Sequence, residues 1–90
     1  MVEMDTTIKN RAGIHARPSA MIAQTAVKFQ SRIFLEKNHN RINAKSIMGI
    51  ITLAASFGSK IKIIADGSDE QAAAEAIKQL FESGFNEELG

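Results

Sequence analysis

His15 and Arg17 are the two side chains of this sequence whose types and spacing suit group transfer. An imidazole offers a nucleophilic nitrogen and a second nitrogen that can keep its proton. A guanidinium two residues on can make charge-assisted hydrogen bonds to phosphate or carboxylate oxygens. Pro18 lacks an amide hydrogen and belongs in the first turn of a helix, which pins a helix start at His15 or Ala16. His15 then stands just before a helix, behind the loop Asn10 to Gly13. Unpaired first-turn amides and the helix dipole make such a position favourable for phosphate, with Ala16, Arg17 and Pro18 shaping the helix start. The dipole contributes only about 0.3–1 kcal/mol at an exposed site. That modest hold suits a group that must be passed on. A histidine before a helix more commonly serves as a cap or a plain surface residue, so position alone does not establish the chemistry.

Ser46 is the second candidate. It stands where an N-cap belongs, before the apolar stretch Ile47 to Leu53, and capping is worth about 1 kcal/mol. His39 lies in a polar turn and is assigned no role.

The elements that must position these residues follow from periodicity. Val2, Met4, Thr6 and Ile8 alternate with Glu3, Asp5, Thr7 and Lys9, which predicts a half-buried strand. Ile22, Ala26 and Phe29 recur at helical spacing, with Ala23 and Val27 widening the apolar face, so a helix is expected from Ala16 to about Phe29. Ser31 to Lys37 and Arg41 to Ala44 read as strands around the turn Asn38 to Asn40. Ile47 to Leu53 reads as a short helix, weakened by about 1 kcal/mol at Gly49 relative to alanine. Lys60 to Ala65 alternates as a fourth strand, and Asp66-Gly67 turns the chain. Ser68 and Gln71 suggest a capping box for a last helix that buries Ala73, Ile77, Leu80 and Phe81 and stops at Gly84. The order is βαββαβα, one domain over residues 1–90. An α+β open-faced sandwich is expected, its mainly antiparallel sheet covered by helices on one face and wet on the other.

Composition narrows the classes. The chain carries 11 basic and 10 acidic residues without a basic face or tail, so a nucleic-acid partner is not expected. It has five Phe but neither Trp nor Tyr, and lacks the aromatic signature of an RNA-binding sheet. No apolar run is long enough for a membrane span, and the absence of Cys removes disulfide and thiolate metal sites. No metal cluster, nucleotide-binding glycine loop or nucleophile–base pair is present, so no metal, cofactor or free-standing enzyme is expected. An isolated His with one Arg fits a half-reaction completed by another protein in the cytoplasm.

Gly13-Ile14-His15-Ala16-Arg17-Pro18 resembles the active-site signature of the HPr family, the phosphocarriers of the bacterial phosphoenolpyruvate:sugar phosphotransferase system. Lys45-Ser46-Ile47-Met48-Gly49 resembles the second family signature at the expected separation, and Asp66-Gly67-Ser68-Asp69 also agrees. The resemblance covers nearly the whole chain. It implies sheet order 1-4-2-3, phosphoryl acceptance from enzyme I at Nδ1 of His15, and donation to an enzyme IIA. Arg17 would steady the group during both transfers. Ser46 would be phosphorylated by HPr kinase/phosphorylase, adding about −1.5 to −2 charge and weakening docking to enzyme I. A transcriptional regulator is a further candidate partner of that form. Two departures stand out: Ala12 replaces a small polar residue near the site, and Ser19 stands where Ala is more usual.

A docking patch is expected where Ala20 meets Ile47, Met48 and Ile51, with Gln24 and Lys28 at its rim. A monomer is expected of a shuttle that must dissociate quickly. The alternative is a regulatory or nitrogen-type HPr paralogue that shares His15 without serving sugar uptake.

Overall fold

The computed structural model describes all residues from 1 to 90. The opening alternation forms β1 (Val2–Thr7), and the loop after it leads into α1 (Ala16–Ala26). β2 (Arg32–Lys37) and β3 (Asn40–Asn43) form a hairpin, followed by the short α2 (Ile47–Thr52). β4 (Lys60–Asp66) and α3 (Glu70–Glu82) come next, and a left-handed turn, with positive φ at Gly84, Phe85 and Asn86, begins the tail. The sheet order is β1-β4-β2-β3 with every pair antiparallel, as the α+β open-faced sandwich requires.

The core lies between sheet and helices. Ile33, Leu35, Ile61, Ile63 and Ala65 from the strands meet Ile22, Ala26, Ile77 and Phe81 from α1 and α3. Alternation brings this about, because residues two apart on a strand share a face. The opposite face is not wholly wet. Ile64, only 1 % exposed, falls on it opposite Phe34 of β2, and the Arg41 guanidinium lies 5.8 Å from the Phe34 ring. The remaining neighbours there are polar, including the Glu3–Lys62 and Glu36–Arg41 ion pairs.

Three local expectations need correction. α1 ends at Ala26, before Phe29, because Lys28 and Phe29 bond back to Thr25 and Ala26 in a tightened last turn. Val27 consequently faces solvent instead of widening the apolar stripe. The Ser68–Gln71 capping box does not form: α3 starts at Glu70, and the Glu70 carboxylate accepts from the Gly67 amide. Asp69, at the N-cap position, accepts instead from the Gln30 and Ser31 amides and the Ser31 hydroxyl. Three donors on one carboxylate outcompete a single local cap. Leu80 is partly buried, at the margin of the core rather than within it.

Two glycines shape the path toward the site. Gly13 has φ +73°, and a Cβ there would lie 2.8 Å from the Ala55 carbonyl, so only glycine lets the loop pass this closely. Gly84, at φ +63°, follows Ser83, the C-cap of α3, and diverts the chain, as the expected stop should. Phe85 is then buried edge-on against Phe81, with ring centroids 5.1 Å apart. This contact returns the tail to the loop before α1.

Candidate functional site

His15 occupies the N-cap position of α1 in an extended conformation, and its side chain makes no capping bond. The imidazole is therefore not spent on the helix. Within the helix, the Ser19 amide and hydroxyl both donate to the His15 carbonyl, at 3.0 and 2.8 Å, and leave the first-turn amides uncapped. Behind the first turn there is no carbonyl for the Ala16 and Arg17 amides, and Pro18 has no amide hydrogen to satisfy. Ala16 and Arg17 are exposed while Pro18 is buried against the fold.

The His15 side chain is 44 % exposed. Its Nε2 lies 3.0 and 3.1 Å from the two carboxylate oxygens of Glu87. The same carboxylate accepts from Arg17 Nη1 at 2.9 Å and from Asn10 Nδ2 at 3.0 Å. Arg17 Nη1 also donates to the Phe85 carbonyl at 2.8 Å, which ties the tail to the helix start. Asn10 is fully buried and spans the site, donating also to the Gly13 carbonyl at 2.8 Å. Its Oδ1 is buried without a partner.

Burial pushes the Glu87 carboxyl up, but hydrogen bonds from His15, Asn10 and Arg17 outweigh it and hold the group below the ordinary glutamate value. An ionised carboxylate only accepts, so a neutral ring facing it must carry its hydrogen on Nε2. The lone pair then resides on Nδ1, which has no partner in the chain. In that form the ring presents a free nitrogen lone pair at a helix start, with a guanidinium two residues away.

Ser46 lies on a different element. It is half-buried, and its Oγ accepts from the Gly49 amide at 3.1 Å, which makes it the N-cap of α2. α1 packs against α2. Met48 is 71 % exposed, Ile47 and Ile51 are about two-fifths exposed, Ala20 is half-buried, and Gln24 and Lys28 are exposed. The largest concavity, about 720 Å³, lies toward the β2–β3 hairpin beside Asp5, Lys60 and His39 and does not include His15.

Sequence reasoning missed Glu87 and Asn10. Glu87 is 72 residues from His15 and belongs to no periodic element, so no local pattern could have placed it. Asn10 gives no signal in the sequence beyond its place in a loop.

The site is therefore an imidazole with one unpartnered nitrogen and an arginine at one helix start of an antiparallel open-faced sandwich. Comparison with known proteins supplies the family. Residues 2–83 match the family described as PTS-HPr, the PTS HPr component phosphorylation site. Phosphocarrier protein HPr of Treponema pallidum is 48% identical over 98% of this chain and 100% of that protein. The HPr-like protein Crh of Halalkalibacterium halodurans is 46% identical over 91% of this chain and 98% of its own length. Among solved structures, HPr-C-His from Thermoanaerobacter tengcongensis superposes with a TM-score of 0.94 at 50% identity, covering 99% of this chain and 100% of that one. An HPr dimer from the same organism gives 0.75 at 49% identity over 94% and 98% of the two chains. The chain belongs to the HPr family of phosphocarrier proteins of the phosphotransferase system.

No helix is long and apolar enough to cross a membrane, and no group of three or more metal-ligating side chains comes together.

Proposed function

We propose that residues 1–90 act as one carrier domain that accepts a phosphoryl group from enzyme I on His15 and passes it to an enzyme IIA. The observation that carries this reading is the division of roles on the ring: Nε2 faces Glu87, while Nδ1 is unpartnered beside the α1 start and Arg17. The Nδ1 lone pair forms the N–P bond as the bond from phosphorus to the donor atom of enzyme I breaks. Arg17 steadies the phosphoryl oxygens in both transfers, since positioning and charge neutralisation dominate such chemistry. Donation to enzyme IIA reverses these steps. The protein turns over only through its partners, needs neither cofactor nor metal, and works in the cytoplasm where they act.

The α1–α2 face, with Ala20, Gln24, Ile47, Met48 and Ile51, is the docking surface in this reading. Its exposed methionine suits partners of different shapes. Ser46 sits beside that face, where HPr kinase/phosphorylase would add phosphate. The new charge would be tolerated by the start of α2 and would repel partners from the patch. A transcriptional regulator would read that form.

The test is phosphoryl transfer from labelled phosphoenolpyruvate through a bacterial enzyme I. Wild type should gain label that is lost in acid and kept in alkali, and His15→Ala should gain none. Absence of label from the wild type with several enzyme I proteins would overturn the reading. A regulatory or nitrogen-type paralogue is the second reading, supported by the similarity to the HPr-like protein Crh. It predicts Ser46 phosphorylation by the kinase without onward transfer to a sugar-specific enzyme IIA. The dimer known for a solved relative speaks against the monomer as the only state, and sedimentation of this chain decides between them.

A further inference from the structure

The tail after α3 is a built part of the site. Beyond the buried Phe85, the Arg11 amide donates to the Glu88 carbonyl at 2.8 Å, and the Gly90 amide donates to the Lys9 carbonyl at 3.1 Å. Asn10 and Leu89 form an antiparallel bridge between these bonds. Glu87 is thus fixed by backbone on one side and by Phe85 on the other, with its side chain only 17 % exposed. Three donors from three positions converge on it: His15 Nε2, Arg17 Nη1 and Asn10 Nδ2. By contrast, the neighbouring Glu88 meets only the exposed Arg11. Glu87 also lies beyond the stretch that matches the family.

We propose that Glu87 is a positioning residue for His15, acting through the ring nitrogen that does not react. This deepens the carrier reading and rests on it. By accepting from Nε2–H, Glu87 selects the tautomer whose lone pair is on Nδ1. When Nδ1 bonds phosphorus and the donor's bond to phosphorus breaks, the ring keeps its Nε2 hydrogen and gains positive charge. Glu87 faces that charge. On donation the N–P bond breaks, the electron pair returns to Nδ1, and Nε2–H is again unchanged. No proton need enter or leave the ring in either direction.

The experiment combines ring ¹⁵N chemical shifts of His15 in the protein alone with steady-state phosphorylation by enzyme I. Wild type should show a protonated-type Nε2 and a lone-pair-type Nδ1 in the neutral ring. In Glu87→Ala the two shifts should move toward each other as tautomers mix, and kcat should fall about tenfold with KM for the carrier nearly unchanged. Glu87→Gln keeps an acceptor without the charge, so it should retain the wild-type shifts while losing part of the rate. Glu88→Ala removes the same charge from the tail and should match wild type in both measurements. Amide exchange at Arg11 and Gly90 reports whether the tail still docks, and if Glu87→Ala frees it, Glu87→Gln carries the comparison. Wild-type shifts and wild-type kcat in the docked variant that carries the comparison would overturn the proposal, as would identical losses in Glu88→Ala. Failure of enzyme I to phosphorylate the wild type would sink the carrier reading instead, while the ring shifts would still decide what Glu87 does.

Discussion

His15 and Arg17 share one carboxylate, so a change at either residue also alters what Glu87 can hold. Arg17 donates to both Glu87 and the Phe85 carbonyl through a single nitrogen, leaving other guanidinium donors that the proposed transfer would use on the phosphoryl oxygens. Arg17→Ala should therefore lower kcat for phosphoryl acceptance by roughly tenfold to hundredfold, the worth of one charge-assisted hydrogen bond in a transition state. Arg17→Lys should recover only part of this, because an ammonium cannot reproduce the planar fork. Stopped-flow transfer from phosphorylated enzyme I measures both, and equal rates for Arg17→Ala and wild type would contradict the role. The chemistry of this pair could be proposed from residue type and from Pro18, which fixes where the helix begins. Its partner could not, because Glu87 reaches the site only through the tail's tertiary path.

Among the elements, α1 and α2 illustrate what local sequence can and cannot specify. The Ser46 cap was legible because a side-chain oxygen ahead of an apolar run satisfies an amide only three residues away. Ser46→Ala should destabilise the protein by about 1 kcal/mol, lowering Tm by roughly 4–8 °C in a domain of this size. A melt that matched wild type would show that the cap is redundant. The start of α3 was misread because Asp69 is recruited by Gln30 and Ser31, a contact across 38 to 39 residues that no local capping rule contains. The Val27 error has a similar origin: helical periodicity says which face is apolar but not where a tightened last turn ends it. Gly13→Ala places a methyl 2.8 Å from the Ala55 carbonyl at a positive φ, and should cost more than about 1 kcal/mol. Urea unfolding checks it. Retained stability would mean that the loop has room to shift.

Across the whole molecule, the sheet order followed from the family resemblance and the helical covering from alternation, because each strand's apolar residues must face one layer. Ile64 is the exception, an apolar residue buried on the open face by its neighbour Phe34, where burial depends on cross-strand partners and not on period. Several native carboxylates also tie distant segments together, and their titration links the fold to pH. Hydrogen bonds from Ser31 and Gln30 hold Asp69 below its ordinary 3.8. The Gly67 amide does the same for Glu70, and Lys9 and Thr6 for Glu82, both below 4.5. A carboxyl lowered in the folded state adds stability above its unfolded value and loses it as pH falls through the folded value. Tm should accordingly be nearly flat from neutral pH to about 5 and fall below about 4. Asp69→Asn should be less stable at neutral pH and show a shallower acid decline in circular dichroism melts. A decline as steep as wild type would remove Asp69 from this account.

In the proposed transfer the unpartnered nitrogen of His15 takes the phosphoryl group. Phosphorylation of ¹⁵N-histidine-labelled protein by enzyme I, followed by detection of one-bond ¹⁵N–³¹P coupling, reads it directly. The geometry predicts coupling at Nδ1 of His15 alone, with Nε2 still carrying hydrogen toward Glu87. Phosphorus on Nε2, or on neither ring nitrogen, would contradict it.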